Sequence, residues 1–115
     1  MEISINNLSE TTVLVRLSGK FTIEDINQFK EKTAPLAVKP VQTILMSFTD
    51  LDYVDSSGIG SLILLMNTAR NQNIGLVIYN VQAEIKNVFR ISHLDKFFTI
   101  TTSDELGRHY PGVRL

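Results

Sequence analysis

Apolar and polar residues alternate with a period of two in the first part of the chain. Ile3 and Ile5 alternate with Glu2, Ser4 and Asn6, and after the polar stretch Asn-Asn-Leu-Ser-Glu the residues Val13, Val15 and Leu17 alternate with Thr12, Leu14 and Arg16. Two such runs separated by a short polar segment predict a hairpin, with Gly19 ending the second strand. Thr22 then offers a side-chain oxygen to the first turn of a helix, and Glu24 and Asp25 place negative charge where the helix dipole favours it. Ile23, Ile26, Phe29, Thr33 and Leu36 mark the buried stripe of that helix, which must stop before Pro40.

Val41–Phe48 is β-rich and nearly continuously apolar, as expected of a central strand, and a short acidic loop, Asp50-Leu51-Asp52-Tyr53-Val54, follows it. The run Asp55-Ser56-Ser57-Gly58-Ile59-Gly60-Ser61 then reads as a strand-to-helix junction. Asp55 and Ser56 are both suitable N-caps, and Gly58 and Gly60 strip side chains from the surface around them, opening the two hydroxyls to another molecule.

At about 100° per residue, Ile59, Leu62, Ile63 and Met66 fall on one side of the following helix, flanked by Leu65 and Ala69, and should pack on the sheet. Ser57, Gly60, Ser61, Leu64 and Thr68 fall on the other. That outer face carries no charge, and Leu64 stands on it either as an ordinary exposed leucine or as part of a docking surface.

Gly75 is the expected left-handed residue after this helix. Leu76–Val81 reads as a buried strand, Ile85, Val88, Phe89 and Leu94 as a helix stripe capped around Asn80 to Gln82, and Phe97–Thr101 as a short last strand. Ser103-Asp104-Glu105 starts a last helix that Tyr110-Pro111-Gly112 ends. The predicted order is ββαβαβαβα. Strands separated by helices with short links imply parallel neighbours joined by right-handed crossovers, so the fold class is α/β: a mixed, mostly parallel sheet with an antiparallel N-terminal edge.

Composition narrows the function without naming it. A chain of 115 residues fits one domain, and 43% hydrophobic with 20% charged residues is enough for a core. A net charge of −1, with the basic residues scattered, gives no electrostatic case for nucleic acid or an anionic membrane. With no cysteine there is no disulfide, thiolate nucleophile or cysteine metal site. The amino end lacks a secretion signal, and the longest apolar run, Leu62–Met66, is far below the ~20 residues of a membrane span, so a cytoplasmic, monomeric protein without membrane insertion is expected.

The junction does not match the usual catalytic patterns. A nucleophile elbow needs Gly-x-Ser-x-Gly, whereas the serines here sit in Asp-Ser-Ser-Gly, and the only histidines, His93 and His109, lie late in the chain. Gly58-Ile59-Gly60 lacks the third glycine of a dinucleotide loop and the Gly-Lys-Ser/Thr of a P-loop. Asp50, Asp52 and Asp55 have the mixed spacing of caps and turn bonds more than of a cation site, and no metal is expected. What remains is modification and docking. A phosphate on a serine at a helix N-terminus adds about −1.5 to −2 charges where unpaired N–H groups tolerate an anion, so it would leave the domain folded while spoiling a partner's fit.

Asp55-Ser56-Ser57-Gly58-Ile59-Gly60 after an apolar strand resembles the STAS domain, specifically the bacterial anti-sigma factor antagonists. Leu17-Ser18-Gly19 before the first helix and His93-Leu94-Asp95-Lys96-Phe97-Phe98 before the last strand support the resemblance, which extends over nearly the whole chain as a single domain, residues 1–115. It implies that Ser56, or failing that Ser57, is phosphorylated by a partner that is both serine kinase and anti-sigma factor, and that a phosphatase restores the serine. Unphosphorylated, such an antagonist binds the kinase and frees a sigma factor.

The resemblance further implies a docking surface of Gly19, Lys20, Phe21, Thr22, Asp55, Ser57, Gly58, Ile59, Gly60, Ser61 and Leu64. The chain would itself be no enzyme and hold no cofactor, ATP and Mg²⁺ belonging to the kinase. Many members follow the glycine of the second strand with an apolar residue and then an aspartate; here Gly19-Lys20-Phe21 is followed by Thr22. The alternatives are a STAS scaffold with no modified serine, in a stressosome-like assembly or beside a lipid transporter, and a nucleotide-binding sensor.

Overall fold

The alternating N-terminal segments pair as expected in the computed structural model, which describes residues 1–115. Strand β1 (Glu2–Asn7) runs antiparallel to β2 (Thr12–Phe21), and β3 (Thr43–Val54), β4 (Gly75–Tyr79) and β5 (Thr99–Thr101) continue the sheet in parallel, in the spatial order β1-β2-β3-β4-β5. Helices α1 (Ile26–Thr33), α2 (Ser56–Asn71) and α3 (Ala83–Ile91) carry the chain back between the parallel strands, and α4 (Ser103–His109) follows β5.

Because side chains alternate across a strand, β2 and β3 each feed both faces of the sheet. Val13, Val15, Leu17, Ile44, Met46 and Phe48 join Phe29, Leu62, Met66, Ala69, Ile85 and Phe89 in the main core beneath α1, α2 and α3. Leu14, Leu45 and Tyr79 point to the other face, where Leu106 of α4 covers them.

Several local expectations change. Gly19 does not end β2: its φ of +95° lets the strand continue through two register shifts to Phe21. The segment Asp50–Val54 is not a loop but the last part of β3, because β2 supplies its ladder partners, with Gly19 opposite Leu51, Lys20 opposite Tyr53 and Phe21 opposite Val54. Leu51 and Val54 turn inward and Asp50, Asp52 and Tyr53 outward.

Ile23 leaves the predicted stripe. It sits in a 3₁₀ turn, Ile23–Asp25, ahead of α1, where the spacing of an α-helix does not yet hold, and it is 69% exposed, while Phe29 and Thr33 are buried. After α2 the left-handed residue is Asn73, φ 59°, and Gly75 is already in β4. That strand ends at Tyr79, short of Val81. The cap of α3 at Gln82 makes no side-chain bond, Val88 is partly exposed, and Phe97 and Phe98 precede β5 instead of belonging to it.

Candidate functional site at the start of α2

Asp55 has extended backbone, φ −87° and ψ 179°, and caps α2. Its Oδ1 accepts the Gly58 N–H at 2.9 Å and its Oδ2 accepts the Ile23 N–H at 3.1 Å. Its own N–H donates to the Phe21 carbonyl at 3.0 Å, and its carbonyl accepts the Ile59 N–H at 3.0 Å. One aspartate thus satisfies first-turn donors of two helical segments and clasps the end of β2 to the start of α2. Each Asp55 oxygen thus holds one backbone N–H, and no group of three His, Asp or Glu side chains converges in the structure.

The clasp fixes what comes next. Ser56 is the first helical residue, exposed, and its hydroxyl bonds to no protein group. The N–H groups of Ser56 and Ser57 likewise find no acceptor in the chain. Ser57 is half-buried, and its carbonyl accepts the Ser61 hydroxyl at 3.2 Å. Gly60 faces open space, and Leu64 is 51% exposed. The uncharged outer face read from the helical angles therefore exists, and of the two junction serines beside it Ser56 is exposed and Ser57 half-buried.

Other predicted docking residues lie elsewhere. Phe21 is fully buried, its ring centroid 4.8 Å from that of Phe29. Gly58 is buried too: a Cβ there would meet Val54 Cγ1 at 2.8 Å and the Phe21 carbonyl oxygen at 3.0 Å, so this glycine lets α2 seat on the ends of β2 and β3 and offers nothing to a partner. Ile59 is half-buried against the core, and Gly19 is half-buried with Met1 Cα near it. Lys20 is exposed.

Thr22 caps as expected. Its hydroxyl accepts the Glu24 N–H at 3.4 Å, and its own N–H donates to Asp25 Oδ2 at 2.9 Å, while the Met1 ammonium donates to Asp25 Oδ1 at 3.1 Å. The Thr22 amide, helped by the Met1 ammonium and the Thr22 hydroxyl and opposed in part by burial, holds the Asp25 carboxyl below its ordinary value.

Two exposed apolar side chains near the clasp escape a reading by periodicity: Ile23, whose N–H is bonded to Asp55, and Tyr53, 49% exposed, two residues before it. Ile23 matches a helix stripe and Tyr53 a loop when only sequence spacing is available. The histidines stand apart from Ser56. α2 starts at the carboxyl end of the parallel strands, while His93 follows the end of α3 at the opposite end and His109 closes α4 on the other face of the sheet.

The comparisons with known proteins agree with the fold. A family model described as the STAS domain matches residues 4–107. A STAS-domain containing protein of Pseudomonas aeruginosa is 24% identical over 87 residues, 76% of this chain and 85% of that protein. Among solved structures, the anti-sigma factor antagonist SpoIIAA in its unphosphorylated form superposes with a TM-score of 0.78 at 23% identity, covering 99% of this chain and 100% of that one. The Bacillus protein in its phosphorylated form gives 0.74, also at 23%, over 95% and 99%. A putative anti-sigma factor antagonist of Thermotoga maritima gives 0.81 at 16% identity, over 93% and 92%.

Proposed function

The chain belongs to the STAS domain family, and from that premise we propose that it is an anti-sigma factor antagonist switched by phosphorylation of Ser56. The observation that carries this reading is the clasp: Asp55 uses both carboxylate oxygens within the fold and leaves Ser56 outside it, with a free hydroxyl at the start of a 16-residue helix. A phosphoryl group there meets unpaired N–H groups and the positive end of the helix dipole, so the domain keeps its shape. Facing a partner, the same group adds bulk and charge to the surface of Ser57, Gly60, Ser61 and Leu64, and the partner lets go.

In this reading the chain performs no catalysis; the partner is a serine kinase that is also an anti-sigma factor and brings its own ATP and Mg²⁺, and a phosphatase reverses the modification. Incubation with that kinase and ATP, followed by mass spectrometry, is expected to find one phosphate, on Ser56. Phosphate on neither Ser56 nor Ser57 refutes the switch and leaves a STAS scaffold that works unmodified.

A further inference from the structure

Along the outer face of α2, Leu64 stands at the edge of a groove of about 190 Å³ between α1 and α2. Its floor is apolar, made by the buried Phe29 and Leu65. Three hydroxyls line it, and each is turned back onto its own helix: Thr33 donates to the Phe29 carbonyl at 2.7 Å, Ser61 to the Ser57 carbonyl at 3.2 Å and Thr68 to the Leu64 carbonyl at 2.9 Å. Their hydrogen-bonding protons are thereby spent within the fold, and the groove behaves as a more apolar surface than its composition implies. Lys30 is the only charged residue in the lining, and it has no ion-pair partner in the chain.

We infer that this groove receives one apolar anchor side chain of a partner protein, presented with a carboxylate beside it that pairs with Lys30. Size and charge together select this occupant. The volume lies below the roughly 300 Å³ at which small-molecule sites usually begin, and suits a single large side chain of the kind that anchors protein interfaces. An unpaired ammonium at the rim favours an anionic neighbour over a cationic one. The inference rests on the outer face of α2 being a docking face and defines what the partner must offer there.

The test uses two probes that differ only in head group, 4-phenylbutyrate and 4-phenylbutylamine, titrated into the ¹⁵N-labelled protein. The butyrate is expected to shift the amides of Phe29, Ala34, Leu64 and Leu65 with a dissociation constant of about millimolar, as suits a ligand of about a dozen heavy atoms. The amine should bind about 2- to 5-fold more weakly, the range of an exposed ion pair. Lys30→Glu, at an exposed position, should reverse the preference, and Ala34→Trp, which fills the groove from its exposed rim, should abolish both shifts. Shifts absent from the groove, or equal affinity for the two head groups, overturn the inference. Neither outcome depends on Ser56, so failure here and failure of the phosphorylation assay are read separately.

Discussion

Replacing Gly58 by alanine adds one methyl group at the tightest point of the α2 seat. An ideal Cβ there lies 2.8 Å from Val54 Cγ1 and 3.0 Å from both the Phe21 carbonyl oxygen and its ring Cγ. None of these atoms yields easily: Val54 is β-branched and stiff at χ1, the carbonyl belongs to β2 and accepts the Asp55 N–H, and the Phe21 ring is fully buried. Overpacking of this kind costs about 1–3 kcal/mol. Against it, alanine in a helix interior gains about 0.5–1 kcal/mol over glycine. The net expectation is a loss of about 0–2.5 kcal/mol, which at this chain length lowers Tm by up to about 10 °C.

Gly60 is the internal control, because it lies in the same helix two residues on and no atom stands within 4 Å of its added Cβ. Gly60→Ala should therefore raise stability by the propensity difference alone, about 0.5–1 kcal/mol. Urea denaturation of the three proteins, with a common m value, reads the contrast. If both variants gain stability together, the close approach of α2 to Phe21 and Val54 is wrong, and Gly58 is free to be a surface glycine after all.

Asp55→Ala removes a cap and leaves the Ile23 N–H without its acceptor, so a loss of about 1–3 kcal/mol is expected in the urea midpoint; a loss under about 0.5 kcal/mol would deny the clasp. Ser56→Asp should keep Tm within about 3 °C, a shift below 1 kcal/mol, since an acidic side chain is tolerated at a helix start, yet weaken kinase binding in calorimetry; binding as tight as that of Ser56→Ala would disprove the charge switch. Leu64→Ala, half exposed, should cost under about 1 kcal/mol of stability and at least about 1 kcal/mol of partner binding, and the reverse ranking would place Leu64 in the fold's core economy instead. The Asp25 carboxyl titrates lower in the folded chain than in the unfolded one, so the stability it contributes is complete above the unfolded value of about 3.9 and is lost as pH falls through the lower folded value. Asp25→Asn should remove that part of the acid dependence, and an unchanged slope of stability against pH below about 4 would contradict the assignment.

What the sequence determined by itself was local. Period-two runs, the Thr22 and Asp55 caps, and the angular sorting of α2 all depend on residues within a few positions of one another, and each recurs in the structure. Ser56 as an exposed hydroxyl follows from the same logic, because a cap is defined by its nearest turn. What only the tertiary structure decided involves partners about thirty residues apart. β3 extends to Val54 because β2 supplies its ladder through Phe21, and a strand edge cannot be read without its neighbour. The second oxygen of Asp55 is held by Ile23, 32 residues away. That contact is part of why Ile23 stands at the surface while Phe21 and Gly58, which the family resemblance placed on the docking surface, are used in seating α2 on the sheet. Burial at a junction is set by which strand ends meet there, and no periodicity along one segment contains that information.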